Sequence, residues 1–169
     1  MRYVGLVIIC AAIAAAGLNA AAENGKKIML LNALSRMLTF VAGTINTYGA
    51  GFAQTLSRTA DISEYDCFSF HKNAVKTFAK STDMTEAWKE AVNSDRNLKK
   101  LGTECVKALE TLSLCFGETS PAVFANVCSE LARCYEEKRD ELIRKRSAEE
   151  KLTVSGAFLG AAAVFIIFI

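Results

Sequence analysis

Apolar residues along most of this chain recur every third or fourth position. Leu31, Leu34, Leu38, Val41, Ile45, Tyr48 and Phe52 alternate steps of three and four, the spacing that lines one face of a helix. The pattern predicts a first long helix over residues 27–56, with Gly43, Gly49 and Gly51 as the places where it bends or ends. Asn32 and Arg36 inside it argue for a core helix and against a membrane span. The polar stretch TADISEYD turns the chain, and a second helix is expected over 63–79 with Cys67, Phe70, Ala74 and Phe78 facing inward. A short third helix carries Met84, Ala87, Trp88 and Ala91, capped by Ser81, Thr82 or Asp83. A fourth opens at a cap on Asp95 and presents Leu98, Leu101, Cys105, Leu109 and Leu112. Gly117 ends it, and Ser120 followed by Pro121 opens a fifth, with Phe124, Cys128, Leu131, Tyr135 and Leu142 inward. Strand-like alternation is hard to find. The fold class is therefore all-α, a small bundle of about five helices.

Both ends of the chain leave this pattern. Residues 3–18 are an apolar run behind the cation Arg2, followed by the small residues Ala20, Ala21 and Ala22 and by the first acid, Glu23. That order is the layout of a secretory signal peptide. It predicts cleavage after Ala20 or Ala22, with an uncleaved N-terminal anchor as the alternative. At the other end, residues 152–169 read LTVSGAFLGAAAVFIIFI and hold no charge. As a helix they extend ~27 Å, slightly short of the ~30 Å hydrocarbon core of a bilayer. One reading makes the tail a discarded glycosylphosphatidylinositol (GPI) anchor signal with Ser147 as the attachment residue, although Glu149 stands where a small residue is preferred. The other makes it the single span of a type I membrane protein. The first is favoured, and either puts the middle of the chain outside the cell. The expected order is a signal peptide over 1–22, an extracellular helical bundle over 23–135, a charged helical stalk over 136–151 and a hydrophobic tail over 152–169. The stalk is expected because Glu136, Glu137, Asp140 and Glu141 lie close to Lys138, Arg139, Arg144 and Lys145, so that pairs of opposite sign four residues apart are available.

Cysteine usage follows from the secretory reading. Of six cysteines, Cys10 lies in the N-terminal apolar run, leaving Cys67, Cys105, Cys115, Cys128 and Cys134. On a secretory route these are expected to brace the bundle with disulfides, and the odd count leaves one thiol over. Cys115 with Cys128, and Cys105 with Cys134, have nearly equal sums of position numbers, as facing residues in an antiparallel hairpin must. Cys115 is expected to bridge to Cys128; the partner of Cys105 stays open between Cys134 and Cys67. No C-x2-C pair occurs and His71 is the only histidine, so no metal site is expected.

Charge and motifs narrow the function by exclusion. The net charge of +2 is too small, and too evenly spread, for a nucleic-acid surface. The chain has no nucleophile elbow, no H-E-x-x-H and no phosphate- or dinucleotide-binding glycine loop, so no catalytic residue and no cofactor is expected. The expectation is a non-catalytic helical protein on the outer face of the plasma membrane, with an interaction or coat role. Its partners would be membrane lipid, through anchor or tail, and an unidentified protein. The alternative is a carrier of apolar ligands held between the faces that bear Phe40, Phe52, Phe68, Phe70 and Phe78.

Overall fold

The computed structural model describes residues 2–80, 83–117 and 120–168, and side chains within those from Ala22 to Ala148. Ser81 and Thr82, and the side chains of residues 3–18 and 152–168, lie outside the described set. The fold is all-helical, without a strand among the described residues. Its helices are α1 (Arg2–Tyr48), α2 (Phe52–Thr59), α3 (Phe70–Phe78), α4 (Met84–Ser94), α5 (Arg96–Lys100), α6 (Thr103–Glu110) and α7 (Pro121–Phe168). Short 3-10 turns at Ser63–Tyr65 and Thr111–Cys115 complete it. The chain divides into two compact units: Met1–Ile28 with Asp140–Ile169, and Met29–Arg139.

Among the described residues seven α-helices stand where about five are expected, and each extra break has a local cause. The seam of α1 runs inward as read, with Leu31, Leu34, Leu38, Val41 and Ile45 all buried. It stops at Gly49, whose φ of +61° is the left-handed conformation glycine adopts without a β-carbon penalty. Tyr48 is consequently 73% exposed, and Phe52 restarts the chain as α2. The expected second helix loses its first part because residues 63–65 close into a 3-10 turn, the Asp66 amide bonding back to the Ser63 carbonyl at 3.2 Å. The expected fourth helix is cut at Gly102, with φ +100° and ψ 159°, a region essentially reserved to glycine.

Capping fixes the remaining boundaries. Asp83 accepts from the amides of Thr85 and Glu86 at 2.8 and 3.2 Å and starts α4. Asp95 starts α5 by accepting from Asn97 and Leu98 at 2.7 and 3.0 Å. Its other oxygen accepts from the amides of Ser69 and Phe70 at 2.6 and 3.0 Å and from the Ser69 hydroxyl at 3.0 Å. One buried carboxylate thus satisfies orphan amides at the starts of both α3 and α5. Pro121 is the first residue of α7, where its missing N–H costs nothing.

The core of the unit Met29–Arg139 is built on α1 and α7, with the short helices filling in around them. The Ser35 hydroxyl, fully buried, donates to Glu136 at 2.8 Å, and Arg139 donates to Asn32 at 2.9 Å. Tyr135 donates to the Cys105 carbonyl at 2.8 Å and ties α6 to α7. Trp88 is buried in the centre, its indole N–H donating to the Leu109 carbonyl at 2.9 Å.

The expected disulfide bracing is corrected. Cys67, Cys105, Cys115, Cys128 and Cys134 are all free thiols. The hairpin argument assumed α-helix up to residue 116, but residues 111–115 form a 3-10 helix, which rises about 2.0 Å per residue and turns the side chains differently.

Candidate functional site

The start of α2 with the residues before it, the first residue of α4, the segment Cys115–Gly117 and the start of α7 line an open apolar groove of about 470 Å³ in the unit Met29–Arg139. Its wall includes Ile45, Phe52, Met84, Cys115, Phe116 and Phe124, and none of the described residues that line it is charged. Three exposed apolar side chains adjoin lining segments in the chain: Tyr48 and Leu114, each 73% exposed, and Val123, 50% exposed. A soluble surface seldom groups exposed apolar side chains with an apolar groove unless something packs there.

Aromatic rings floor the groove. Phe52 lies 4.9 Å from both Phe116 and Phe124 and 5.3 Å from Trp88, centroid to centroid. Trp88 meets Phe70 edge-on at 5.6 Å, and Phe70 meets His71 edge-on at 5.8 Å. The cluster follows from local structure. The Gly49 break turns Phe52 back, Asp83 aims Trp88 one turn into α4, and Gly117 at φ +87° separates Phe116 from the start of α7. Sequence periodicity marks phenylalanines as inward-facing but carries no signal that α2, α3, α7 and the turn at Phe116 deliver them to one place.

Among the described residues, the titratable groups other than Cys115 lie elsewhere. Cys128 is fully buried, and burial, with a smaller contribution from the neighbouring Cys115, pushes its thiol up to about 12. Burial also raises Cys105, Cys67 and Tyr135. A thiol held protonated is a poor nucleophile. His71 is fully buried, and burial, then Lys72, lowers its affinity for a proton. Of the five cysteines only Cys115 reaches the groove; Cys134 is exposed on α7, and Ser147 sits exposed further along the same helix. No cluster of three or more His, Cys, Asp or Glu side chains able to hold a metal ion occurs among the described residues.

One described segment, Ala22–Tyr48, is long and apolar enough to cross a membrane, with mean hydropathy 1.6. Most of it is buried, and its apolar side chains from Leu30 to Ile45 form the bundle core.

Comparison with curated proteins and with solved structures gives no match. A family profile described as Stage III sporulation protein AB matches residues 2–169. The match corrects the functional reading of the sequence. The family is one of bacterial, membrane-associated sporulation proteins, whereas a GPI anchor is a eukaryotic modification. Ser147 is therefore no GPI attachment residue, and the placement on the outer face of a eukaryotic plasma membrane falls with it. The secreted, disulfide-bonded surface protein, its type I single-span variant and the carrier of apolar ligands are overturned by the same finding. The misreading has a physical source. A terminal apolar stretch serves an anchor signal and a span alike. With the profile covering 2–169, the chain belongs to the stage III sporulation protein AB family.

Proposed function

We propose that this protein is a non-catalytic subunit of a membrane assembly of the sporulating cell. The apolar segments 3–18 and 152–169 are retained as membrane spans, and the helical bundle faces the cytoplasm. The observation that carries the reading is the placement of basic residues. Lys26 and Lys27 follow the first apolar segment, and Arg144, Lys145 and Arg146 precede the second, so both segments are flanked by cations on the side that leads into the bundle. Excess Lys and Arg beside a span marks its cytoplasmic end. The extent of the family match, which takes in both segments, supports their retention.

The bundle's contribution is a contact surface. The apolar groove, with Tyr48, Leu114 and Val123 close by in the chain, is the place where a protein partner of the same assembly packs, while the two apolar segments meet lipid. A non-catalytic role is supported by the distribution of perturbed groups. None of Tyr65, Cys67, His71, Cys105, Cys128 and Tyr135 is among the described residues that line the groove, whereas an active site gathers such groups in a cleft.

Labelling of Cys134 tests the orientation, since its side chain is exposed on α7. A membrane-impermeant maleimide should leave Cys134 unmodified in intact cells and modify it once the membrane is opened. Modification in intact cells would reverse the orientation. Leu114→Glu, which puts a charge beside the groove, should reduce the yield of heat-resistant spores without lowering the amount of protein in the membrane. Normal spore yield in that variant would remove the groove from the proposal.

A further inference from the structure

His71 combines three features that a core side chain seldom shows together. It is fully buried, it is titratable, and neither ring nitrogen has a hydrogen-bond partner among the described residues. Buried polar atoms are nearly always paired, and an orphan is costly. The ring can remain there only while neutral, because an imidazolium presents two N–H donors that both need acceptors.

Among the described residues, the carboxylates that act on the ring are already engaged with other donors. His71 lies in the first turn of α3, which packs on α2 and α4. The buried residues of α2 are Thr55, Leu56 and Thr59, and those of α4 are Ala87, Trp88, Ala91 and Val92, none of them charged. The charged groups that act on the ring are Lys72 on its own helix, Asp66 in the preceding turn and Asp95 at the α4–α5 corner. Lys72 opposes protonation. Asp66 holds Lys72 at 2.6 Å. Both oxygens of Asp95 are committed to the amides and hydroxyl that start α3 and α5. For Asp95 to turn to an imidazolium, it would have to drop the Ser69 and Phe70 amides that hold α3 in place. For the imidazolium to reach water instead, the first turn of α3 would have to lift.

We propose that His71 is an acid-operated latch on α3: proton uptake by the ring, buried with neither nitrogen partnered among the described residues, releases the first turn of α3 from the α4–α5 corner. The sign follows from the cost of charging a buried ring. Above about pH 6.5, the ordinary histidine value, the ring is neutral in the closed and open states and the latch is shut. Below it the open state binds a proton that the closed state resists, so each pH unit favours opening by up to about tenfold until the closed state also protonates. Edge contacts from His71 to Phe70 and from Phe70 to Trp88 connect the latch to the groove floor, so opening loosens the wall that includes Phe52 and Phe116.

The test uses the full chain in detergent micelles, purified without a histidine tag. His71 is the only histidine, so its imidazole resonances are unambiguous. They should titrate with a midpoint below 6.5. Amide exchange over Phe70–Phe78, corrected for its intrinsic pH dependence, should accelerate with the same midpoint, by up to about tenfold per pH unit. His71→Met, similar in volume and not titratable, should abolish the acid-induced part. Acceleration that survives in that variant overturns the latch. Should the variant not fold, the wild-type protein decides alone: an imidazole midpoint that does not coincide with the opening of α3, or no opening between pH 7.5 and 5, overturns it equally.

Discussion

The carboxylate of Asp95 accepts the Ser69 amide at 2.6 Å across 26 positions of sequence while capping its own helix through Asn97 and Leu98. A single side chain therefore fixes where two helices begin and how they meet. Replacing Asp95 by Ala leaves five donors without their acceptor, and a cap alone is worth about 0.5–2 kcal/mol. Asp95→Ala should cost on the order of 2–4 kcal/mol, read as a lower denaturant midpoint. Asp95→Asn keeps one acceptor oxygen and should lose clearly less. Equal losses in the two variants would mean that packing, and not the double cap, sets the effect.

Trp88 fills the centre of the bundle and donates to the Leu109 carbonyl. Trp88→Phe retains a ring for Phe52 and Phe70 but removes the indole donor, leaving the Leu109 carbonyl only the Thr111 amide. The expected cost is about 1–3 kcal/mol. Thermal unfolding that matches the wild type would show that the carbonyl finds another donor.

At Gly102 nothing lies within 4 Å of an added β-carbon, so substitution there tests backbone conformation alone. Gly102→Ala should cost about 1–3 kcal/mol through its φ of +100°. A stabilised variant would mean that α5 and α6 fuse into the continuous helix the sequence suggests.

The thiols make two measurable statements. With the N-terminal segment retained and no disulfide, six thiols should react in denaturant without prior reduction; five would indicate loss of Cys10, and four or fewer would mean that a disulfide had formed. In the native protein Cys134 should react first and Cys128 last. Burial raises the Cys128 thiol from an unfolded value of 9.0 to about 12, so the folded state keeps a proton that the unfolded state loses. This contribution is complete below about pH 9 and drains as pH rises towards 12, by up to about 1.4 kcal/mol per unit. Cys128→Ala should flatten the alkaline limb of stability. An unchanged limb would assign it to other groups, such as Tyr65 and Tyr135, which burial also raises.

Much of the bundle is legible in the sequence because its signals are local. Asp83 and Asp95 stand where caps must, Gly49 and Gly117 where helices stop, and Pro121 where one starts. The break at Gly102 is not legible, since Leu98, Leu101, Cys105 and Leu109 keep the three–four spacing straight through it. A corner that returns the same face to the core preserves the pattern while changing the direction of the chain. The groove is invisible for a related reason: periodicity says which way Phe52, Phe116 and Phe124 face along their own helices, and nothing about where those helices meet. The double role of Asp95 is half legible, its own helix being near in sequence and α3 being far.

The hydrogen bond from Ser35 to Glu136 joins positions 101 residues apart. At a synthesis rate of about 5–20 residues per second, α1 leaves the ribosome roughly 5–20 s before α7 can cover it. During that interval the stripe of Leu31, Leu34, Leu38 and Val41 has only the short helices for company. The nascent chain thus carries an unfinished apolar surface that calls for shielding by a chaperone or by the membrane itself.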